Sequence, residues 1–338
     1  MSNMLKEALA ASNVVAAQCA DSARVEQLAE RLADAPRHVA LTIARGSSDH
    51  AASYFASLVM SRIGLPVASL PMSIATLQAA PLRVAGEPAI AFSQSGRSPD
   101  LVGTMKVLRE AGALTISAVN APGSPLADTC EWQLPLLAGP ERSVAATKSY
   151  IAMLSISAQL VAYWQRDPML LDALQALPDT LRDAAALDWS PAVDALRDVE
   201  RMIVIGRGLG LAIAQEAALK FKETSGIQAE AFSSAEVRHG PMELIDRDYP
   251  LLVFAPRGPE QAGLIRLAAD MRARGARVLL AAPSDIADAQ LPLATSRHVS
   301  LDPIAAIQTF YVMAAELAAA RGRDPDAPRH LNKITETH

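Results

Sequence analysis

The sequence predicts an α/β protein of two tandem doubly wound units, each a parallel sheet with helices on both faces. Three observations support this prediction. Short apolar runs alternate with helical segments along most of the chain, a pattern typical of parallel sheets. The pattern occurs twice at one offset, because residues 43–46 match 205–208 and residues 92–96 match 254–258. The length of 338 residues also suits two domains of roughly 150 residues each.

The elements can be placed in order along the chain. A helical stretch precedes a buried strand near Val39–Ala44, a Gly-Ser turn and a helix that opens near Ser48. Another strand, a serine-rich turn, a helix and the strand Leu114–Val119 follow, and the second half repeats the plan. The predicted parts are residues 1–34, a helical segment; 35–165, the first unit; 166–197, a helical connector; 198–322, the second unit; and 323–338, a C-terminal tail.

Composition narrows the class of protein. A net charge of −5 and a pI near 5.7 argue against a nucleic-acid-binding protein, which would carry a basic stripe. The two cysteines are too few for a disulfide framework, and the N-terminus lacks the features of a signal peptide, so we expect a cytoplasmic protein. The apolar run 150–164 is too short to cross a bilayer and is predicted to be a buried helix, so no membrane partner is expected.

One short stretch carries most of the residues suited to proton transfer. Glu216, Lys220 and Glu223 are spaced so that they share one face of a helix, and Gly226 is predicted to end that helix. A loop then brings in His239. Two acids, a lysine and a histidine are groups that general acid–base catalysis uses. The alternative for the helix is a solvated, salt-bridged face, which is what alternating charges usually mean.

A second stretch predicts a phosphate site in the first unit. Ser93-Gln94-Ser95-Gly96-Arg97-Ser98 joins a buried strand to a helix, and Ser47 and Ser48 lie at the corresponding turn of the neighbouring strand. A helix N-terminus with hydroxyl donors and a glycine binds anions well. Helix capping by Ser98 is the alternative. The second unit has APRGPE in place of SQSGRS, so a phosphate is expected only in the first unit.

Six motifs, in order, resemble one family. They are RGSS at 45–48, SQSG at 93–96, VAATK at 144–148, EAALKFKE at 216–223, AEVRHGP at 235–241 and DAPRHLNK at 326–333. Together they resemble the isomerising half of glucosamine-6-phosphate synthase, which consists of two sugar-isomerase (SIS) domains. This resemblance implies two flavodoxin-like three-layer domains and a sugar phosphate as substrate.

The resemblance also implies roles for individual residues. Glu223 matches the residue that shuttles the proton, His239 the ring-opening histidine and Lys333 the carbonyl-directed lysine. Glu216 and Lys220 match residues of the active-site helix. The histidine of the family enters from the partner subunit, so a homodimer is expected. The phosphate and sugar contacts fall on Ser48, Ser93, Gln94, Ser95 and Ser98, with Ser47 and Val144 lining the sugar.

Departures from the family sharpen the expected reaction. No cysteine precedes Cys19, so the glutamine-hydrolysing domain of the synthase is expected to be missing. We therefore expect a deaminase that converts glucosamine 6-phosphate and water to fructose 6-phosphate and ammonia, without a metal or other cofactor. Arg97-Ser98-Pro99 replaces the Glu-Thr-Ala of the synthase, which leaves the exact sugar open. The alternatives are ammonia-dependent synthesis, a galactosamine-6-phosphate deaminase, a fructosyl-amine-6-phosphate deglycase and a sugar-phosphate sensor.

Overall fold

The computed structural model describes residues 1–331 and 333, and within them the strands form two five-stranded sheets. The strands of the first sheet pair in the order β2-β1-β3-β4-β5 and those of the second in the order β10-β9-β8-β6-β7, all parallel. Their bounds are β1 Ala40–Ile43, β2 Val67–Ser69, β3 Pro88–Ser93, β4 Leu114–Val119, β5 Trp132–Pro135, β6 Arg201–Gly206, β7 Gln228–Ser233, β8 Pro250–Phe254, β9 Arg277–Pro283 and β10 Leu291–Leu293.

The two sheets have the same topology, so the predicted fold class is confirmed. Read from the other edge, the second sheet runs β7-β6-β8-β9-β10, which is the order of the first sheet with each strand number raised by five. This is the flavodoxin-like order of doubly wound proteins, in which ligands bind beyond the carboxyl ends of the strands where the strand order reverses. The reversal lies between β1 and β3 in the first sheet and between β6 and β8 in the second.

Helices cover the sheets and supply most of the remaining described structure. The N-terminal stretch consists of three helices, and the apolar run 150–164 lies inside α8 with most of its side chains buried. The bounds are α1 Asn3–Leu9, α2 Ala11–Ala20, α3 Ala23–Ala33, α4 Ser47–Arg62, α5 Met72–Thr76, α6 Pro99–Glu110, α7 Pro125–Thr129, α8 Lys148–Gln165, α9 Pro168–Ala185, α10 Ser190–Leu196, α11 Leu209–Lys220, α12 Gln261–Ala273 and α13 Asp302–Ala320.

One helical segment, Val299–Ala320, is long and apolar enough to cross a membrane by length and composition alone. In the structure 78% of its most apolar window is buried. Its side chains pack with aromatic residues of its surroundings, for example Phe310 against Phe221 with ring centroids 5.1 Å apart. The segment therefore packs as a core helix of a globular unit, and such buried helices can be as long and apolar as a membrane-spanning one.

The described residues divide into two compact units that interleave along the sequence. The β1–β5 unit consists of residues 13–141 and 149–175 together with Lys333. The β6–β10 unit consists of residues 1–12, 142–148 and 176–331. Each has its own apolar core around its sheet. These units differ from the linear domains predicted above, whose bounds stay a prediction.

Candidate active site

Three charged side chains at the end of α11 form one cluster. Lys220 Nζ lies 3.6 Å from Glu216 Oε1 and makes a closer ion pair with Glu223 Oε2. The side chains of Glu216 and Lys220 are 0% and 1% exposed, whereas that of Glu223 is 18% exposed. The three residues thus share a face, as their spacing predicts. The alternative of a solvated face is wrong, because two of the three charges are buried.

The end of α11 fixes the position of Glu223. The helix passes into a π-helical turn over Phe221–Ser225, which ends at Gly226 in the left-handed conformation with φ of 64°. A Cβ at Gly226 would overlap the Arg323 guanidinium, and Arg321 Nε donates to the Ser225 carbonyl at 2.9 Å. Helix ends leave carbonyls without intrahelical donors, and basic side chains can satisfy them. Gly226 thus allows the left-handed end of the turn that carries Glu223 and the close approach of Arg323, while Arg321 holds the Ser225 carbonyl.

Tyr311 belongs to the same cluster, although the sequence did not single it out. Its hydroxyl donates to Glu216 Oε1 at 3.0 Å, and the side chain is fully buried. Tyr311 lies on α13, 95 residues from Glu216, so no local spacing connects the two. The only signal in the sequence is a phenol within a largely apolar helix, and a buried tyrosine hydroxyl usually has a hydrogen-bond partner.

The serine-rich turn after β3 has the geometry expected of an anion cradle. Ser93 Oγ accepts a hydrogen bond from the Gly96 N–H at 2.9 Å, which closes the turn on itself. Gly96 has a φ of 64°, and a Cβ there would overlap the Ser124 side chain. Ser98 is the N-cap of α6 but makes no side-chain cap hydrogen bond. The alternative role of Ser98 as a capping side chain is thus absent, and its hydroxyl remains suited to a ligand.

The neighbouring turn after β1 opens α4 with two further predicted hydroxyls. Ser47 and Ser48 occupy the first turn of the helix, which starts after Gly46 with φ of 56° and ψ of −133°. A helix N-terminus favours an anion, although the N–H groups of Asp49 and His50 already donate to the Gly46 carbonyl, at 3.0 and 3.2 Å. Burial raises the pKa of the adjacent Asp49 carboxyl, while the charges of His50 and Arg45 oppose that rise. Gln94 lies in the β3 turn beside the serines, half-buried.

Lys333 is paired with an acid that the sequence analysis missed. Its Nζ lies 3.4 Å from Glu141 Oε2, and the Glu141 side chain is 0% exposed. Glu141 also accepts hydrogen bonds from Ser149 Oγ at 2.6 Å and from the Ser149 N–H at 3.1 Å. The position of Glu141, three residues before Val144 of the VAATK motif, is a signal that could have found it. A buried carboxylate thus holds the predicted carbonyl-directed lysine.

The loop that carries Val144 is held from two sides within the β6–β10 unit. The Glu7 carboxylate accepts hydrogen bonds from the N–H groups of Arg142 and Ser143, and the Val144 N–H donates to the Asp326 carbonyl at 3.3 Å. The Asp326 carboxylate in turn accepts from the N–H groups at the start of α1, at 2.6 and 2.7 Å. The N-terminal helix and the tail therefore position the loop predicted to line the sugar.

The environment of His239 differs from that of the buried acid–lysine cluster. It follows a short 3₁₀ turn, Glu236–Arg238, and its side chain is exposed. It lines a cleft of about 630 Å³ together with Ser234 and three arginines, Arg207, Arg238 and Arg266. An exposed imidazole in an open cleft is free to serve a second subunit, as the resemblance implies, but that role stays a prediction.

Within each unit the structure brings part of the predicted site together. In the β6–β10 unit the glutamates and Lys220 form one cluster, whose outermost member is Glu223. In the β1–β5 unit the hydroxyls of the cradle lie on the turns after β1 and β3, which are adjacent strands. These turns follow the strands at which the order of the first sheet reverses, the place where doubly wound proteins bind ligands.

Comparison with known proteins identifies the family. A profile of the SIS domain matches residues 32–163 and 195–320, one match for each sheet. The chain belongs to the SIS-domain family. It is 36% identical over 320 residues to a glutamine–fructose-6-phosphate aminotransferase (isomerizing) of Aeropyrum pernix, covering 87% of this chain and 50% of that protein. The chain thus spans about half the length of the curated relatives that it matches.

Solved SIS-domain structures resemble the chain over nearly its full length. A protein of Silicibacter pomeroyi DSS-3, provisionally described as a phosphosugar isomerase, superposes with a TM-score of 0.90 at 38% identity and covers 96% of this chain and 100% of its own. A glucosamine-6-phosphate deaminase of Thermotoga maritima gives a TM-score of 0.81 at 21% identity, covering 99% of this chain and 100% of its own. The second likeness shows the fold alone.

Proposed function

We propose that this SIS-domain protein is a sugar-phosphate isomerase that acts as a deaminase, converting glucosamine 6-phosphate and water to fructose 6-phosphate and ammonia. The observation that carries the proposal is Glu223: it alone of its cluster is partly exposed, and Lys220 holds it in place. Isomerisation between C1 and C2 requires one base that reaches both carbons. A carboxylate fixed at the edge of a buried ion-pair cluster meets that requirement.

The remaining residues fit the steps of this reaction. The serines of the cradle bind the phosphate, and His239 opens the sugar ring by moving a proton between the ring oxygen and O1. Glu223 then takes the proton from C2 and returns it to C1, which converts the 2-amino aldose to a 2-imino sugar. Water adds to C2 and ammonia leaves, giving the ketose. Lys333, which pairs with Glu141, polarises the carbonyl or forms an imine with it in this proposal.

A panel assay tests the substrate. Purified protein is incubated with glucosamine 6-phosphate, galactosamine 6-phosphate and a fructosyl-lysine 6-phosphate, and released ammonia and lysine are measured. Release of ammonia from glucosamine 6-phosphate supports the proposal. Release from galactosamine 6-phosphate alone, or of lysine alone, would replace it by the corresponding deaminase or deglycase. Binding of sugar phosphate without any release would favour a sensor, and formation of glucosamine 6-phosphate that far outpaces its hydrolysis would favour ammonia-dependent synthesis.

The variant Glu223→Gln tests the base directly. The amide keeps the shape of the side chain but cannot take a proton, so exchange of the C2 proton with solvent is expected to fall by about a thousandfold, within the range for loss of a general base. Sugar-phosphate affinity is expected to change little, because the cradle lies on other residues. Exchange is followed by NMR in deuterated water. Exchange at the rate of the unmodified protein would remove Glu223 from this role.

A mixing experiment tests the homodimer and the shared His239. We propose that each active site takes Glu223 and His239 from different subunits. The variants His239→Ala and Glu223→Gln are then both inactive alone, but a mixed dimer contains one site with neither change. Recovery of activity after the two are unfolded together and refolded is the expected result. No recovery, with mixed dimers demonstrated by mass spectrometry, would place both residues in the same subunit.

A further inference from the structure

Four polar side chains in the β6–β10 unit form a chain that runs from the core to the surface. Tyr311 donates to Glu216, Glu216 pairs with Lys220, and Lys220 pairs with Glu223. The first three side chains are fully buried or nearly so, and only the last reaches solvent. Contacts of this kind act as a network, because each partner's position depends on the next. The residue at the buried end can therefore influence the residue at the exposed end.

Lys220 is shared between two carboxylates, and the sharing is unequal. Its Nζ lies 3.6 Å from Glu216 Oε1 and closer to Glu223 Oε2. Glu216 is fully buried, and a buried carboxylate must find donors. The Tyr311 hydroxyl is one such donor, at 3.0 Å on the same oxygen that faces Lys220. This phenol therefore competes with the ammonium for Glu216 and leaves the ammonium closer to Glu223.

We propose that Tyr311 is a positioning residue, which by donating to Glu216 keeps Lys220 on Glu223 and so holds the Glu223 carboxylate where it transfers the proton. The inference rests on the proposed function, since it assigns a consequence to the position of the base. Without the hydroxyl, Glu216 draws the ammonium inwards and Glu223 loses its partner. A displacement of about 1 Å in a reacting group can cost about a hundredfold in rate, so a partial loss of restraint is measurable.

Packing alone does not require a tyrosine at this place. The aromatic contact of α13 with the helix end that carries Glu223 is made by Phe310, whose ring meets Phe221 edge-on at 5.1 Å. A phenylalanine at position 311 would fill the same space and would leave no hydroxyl to satisfy. The hydroxyl bonds to a carboxylate of the acid–lysine cluster, which connects it to the site.

Tyr311→Phe removes the hydroxyl and keeps the ring. The expected result is a fall of about tenfold in the rate of C2 proton exchange with an unchanged affinity for sugar phosphate, because one hydrogen bond to a charged group is lost and the cradle is not touched. Thr309→Val is the matched control. Thr309 lies two residues away on the same helix, is equally buried, and donates to the Ala184 carbonyl at 2.9 Å instead of to the cluster.

Three measurements separate positioning from a general structural role. Both variants are expected to lose some thermal stability, but only Tyr311→Phe is expected to slow exchange. Exchange within twofold of the unmodified protein, or an equal fall in both variants, would overturn the proposal. Crystal structures of both variants supply the third measurement: Lys220 Nζ is expected closer to Glu216 than 3.6 Å in Tyr311→Phe alone.

The structural measurement also separates this proposal from the proposed function. If the unmodified protein exchanges the C2 proton of no amino-sugar phosphate, the proposed function fails. The place of Lys220 in the Tyr311→Phe crystal structure then decides whether Tyr311 positions the cluster. An unmoved Lys220 overturns the proposal whatever the activity of the protein.

Discussion

The turns at which the strand order reverses differ between the two sheets, because the second has the Glu260 carboxylate beside it and the first, within the described part of the chain, has no such group at the equivalent place. Gly46 and Gly208 occupy equivalent places before α4 and α11 and have nearly the same conformation, with φ of 56° at both and ψ of −133° and −132°. Among the described residues and apart from the local backbone and the two chain neighbours, no heavy atom lies within 4 Å of the place of a Cβ on Gly46. The same place on Gly208 would overlap the Glu260 carboxylate. Glu260 occupies the position of Ser98 in the repeat.

The two turns thus share a backbone conformation and differ in whether a carboxylate of the chain lies beside it. A helix N-terminus favours a negative charge, and Glu260 supplies one from within the chain. In the first unit the equivalent residue, Ser98, carries no charge, and under the proposed function that place takes the phosphate of the substrate. The first repeat therefore keeps the geometry expected of an anion site, whereas the second repeat has its own carboxylate beside the same helix terminus.

The largest effect is expected when the carboxylate of the second repeat is introduced at the equivalent position of the first. Ser98→Glu is expected to weaken sugar-phosphate binding by about a hundredfold, because a carboxylate beside a phosphate costs several kcal/mol. Isothermal titration calorimetry with glucosamine 6-phosphate measures the change. Ser98→Thr is the matched control, since it keeps the hydroxyl and should bind nearly as well as the unmodified protein. A folded Ser98→Glu variant with unchanged affinity would remove Ser98 from the cradle.

A second pair of equivalent positions, Ser95 and Arg257, tests whether a ligand-binding residue in one repeat is matched by a structural residue in the other. Ser95 corresponds to Arg257, whose guanidinium donates to both carboxylate oxygens of the buried Asp302, at 2.7 and 2.9 Å. Arg257→Ala is expected to lower the free energy of unfolding by about 2 kcal/mol, because it leaves a buried carboxylate without its cation and the arginine itself is partly exposed. Urea denaturation measures this. Ser95→Ala should leave stability unchanged and reduce phosphate affinity, and the reverse outcome would contradict the comparison.

Copying the first turn into the second should have a smaller effect. Glu260→Ser removes the carboxylate from the N-terminus of α11 and is expected to cost about 0.5–1 kcal/mol of stability, the usual size of a charge–dipole interaction at a helix end. The proposed deaminase activity should not change. Thermal unfolding at low ionic strength reports the loss, which added salt should reduce. A variant as stable as the unmodified protein would show that Glu260 does not serve the helix terminus.

The smallest effect concerns Asp49, where the second repeat has Leu211. Burial raises the pKa of the Asp49 carboxyl above its ordinary value. The folded state therefore favours the protonated form, and the associated stability is present at low pH and is lost as the pH rises through the raised pKa. Asp49→Asn should unfold at a higher temperature than the unmodified protein at pH 7, and this difference should vanish near pH 3. A constant difference at both pH values would contradict the assignment.

The sequence predicted the elements that depend on local pattern. The strand Leu114–Val119 and the helix that contains Ser47 and Ser48 lie where the sequence pattern predicted them, and the helical stretch that carries Glu223 ends at Gly226 as predicted. The shared face of Glu216, Lys220 and Glu223 followed in the same way from helical spacing. His239 was also found from the same stretch, whereas motif resemblance added its ring-opening role and Lys333, which spacing alone could not connect to the cluster.

The contacts that the sequence did not predict join residues far apart in the chain. Tyr311 reaches Glu216 across 95 residues, and Lys333 reaches Glu141 across 192. No periodicity relates such positions, because tertiary packing alone brings them together. The burial of Glu216 and Lys220 was also not predictable from the sequence. Alternating charges on a helix usually indicate a solvated surface, and only the fold shows that these two side chains are enclosed.

The interleaving of the two compact units has a consequence for dissecting the protein. Repetition in the sequence suggests cutting the chain between its two copies, yet the segment 142–148 lies inside the first copy and belongs to the body built on the second sheet. A fragment ending near residue 165 would keep Glu7, which accepts from the N–H groups of Arg142 and Ser143, but would lose the Asp326 carbonyl that accepts from Val144. The boundary between the two sequence repeats therefore differs from the boundary between the two compact units, so a fragment that holds one repeat would not hold one complete unit.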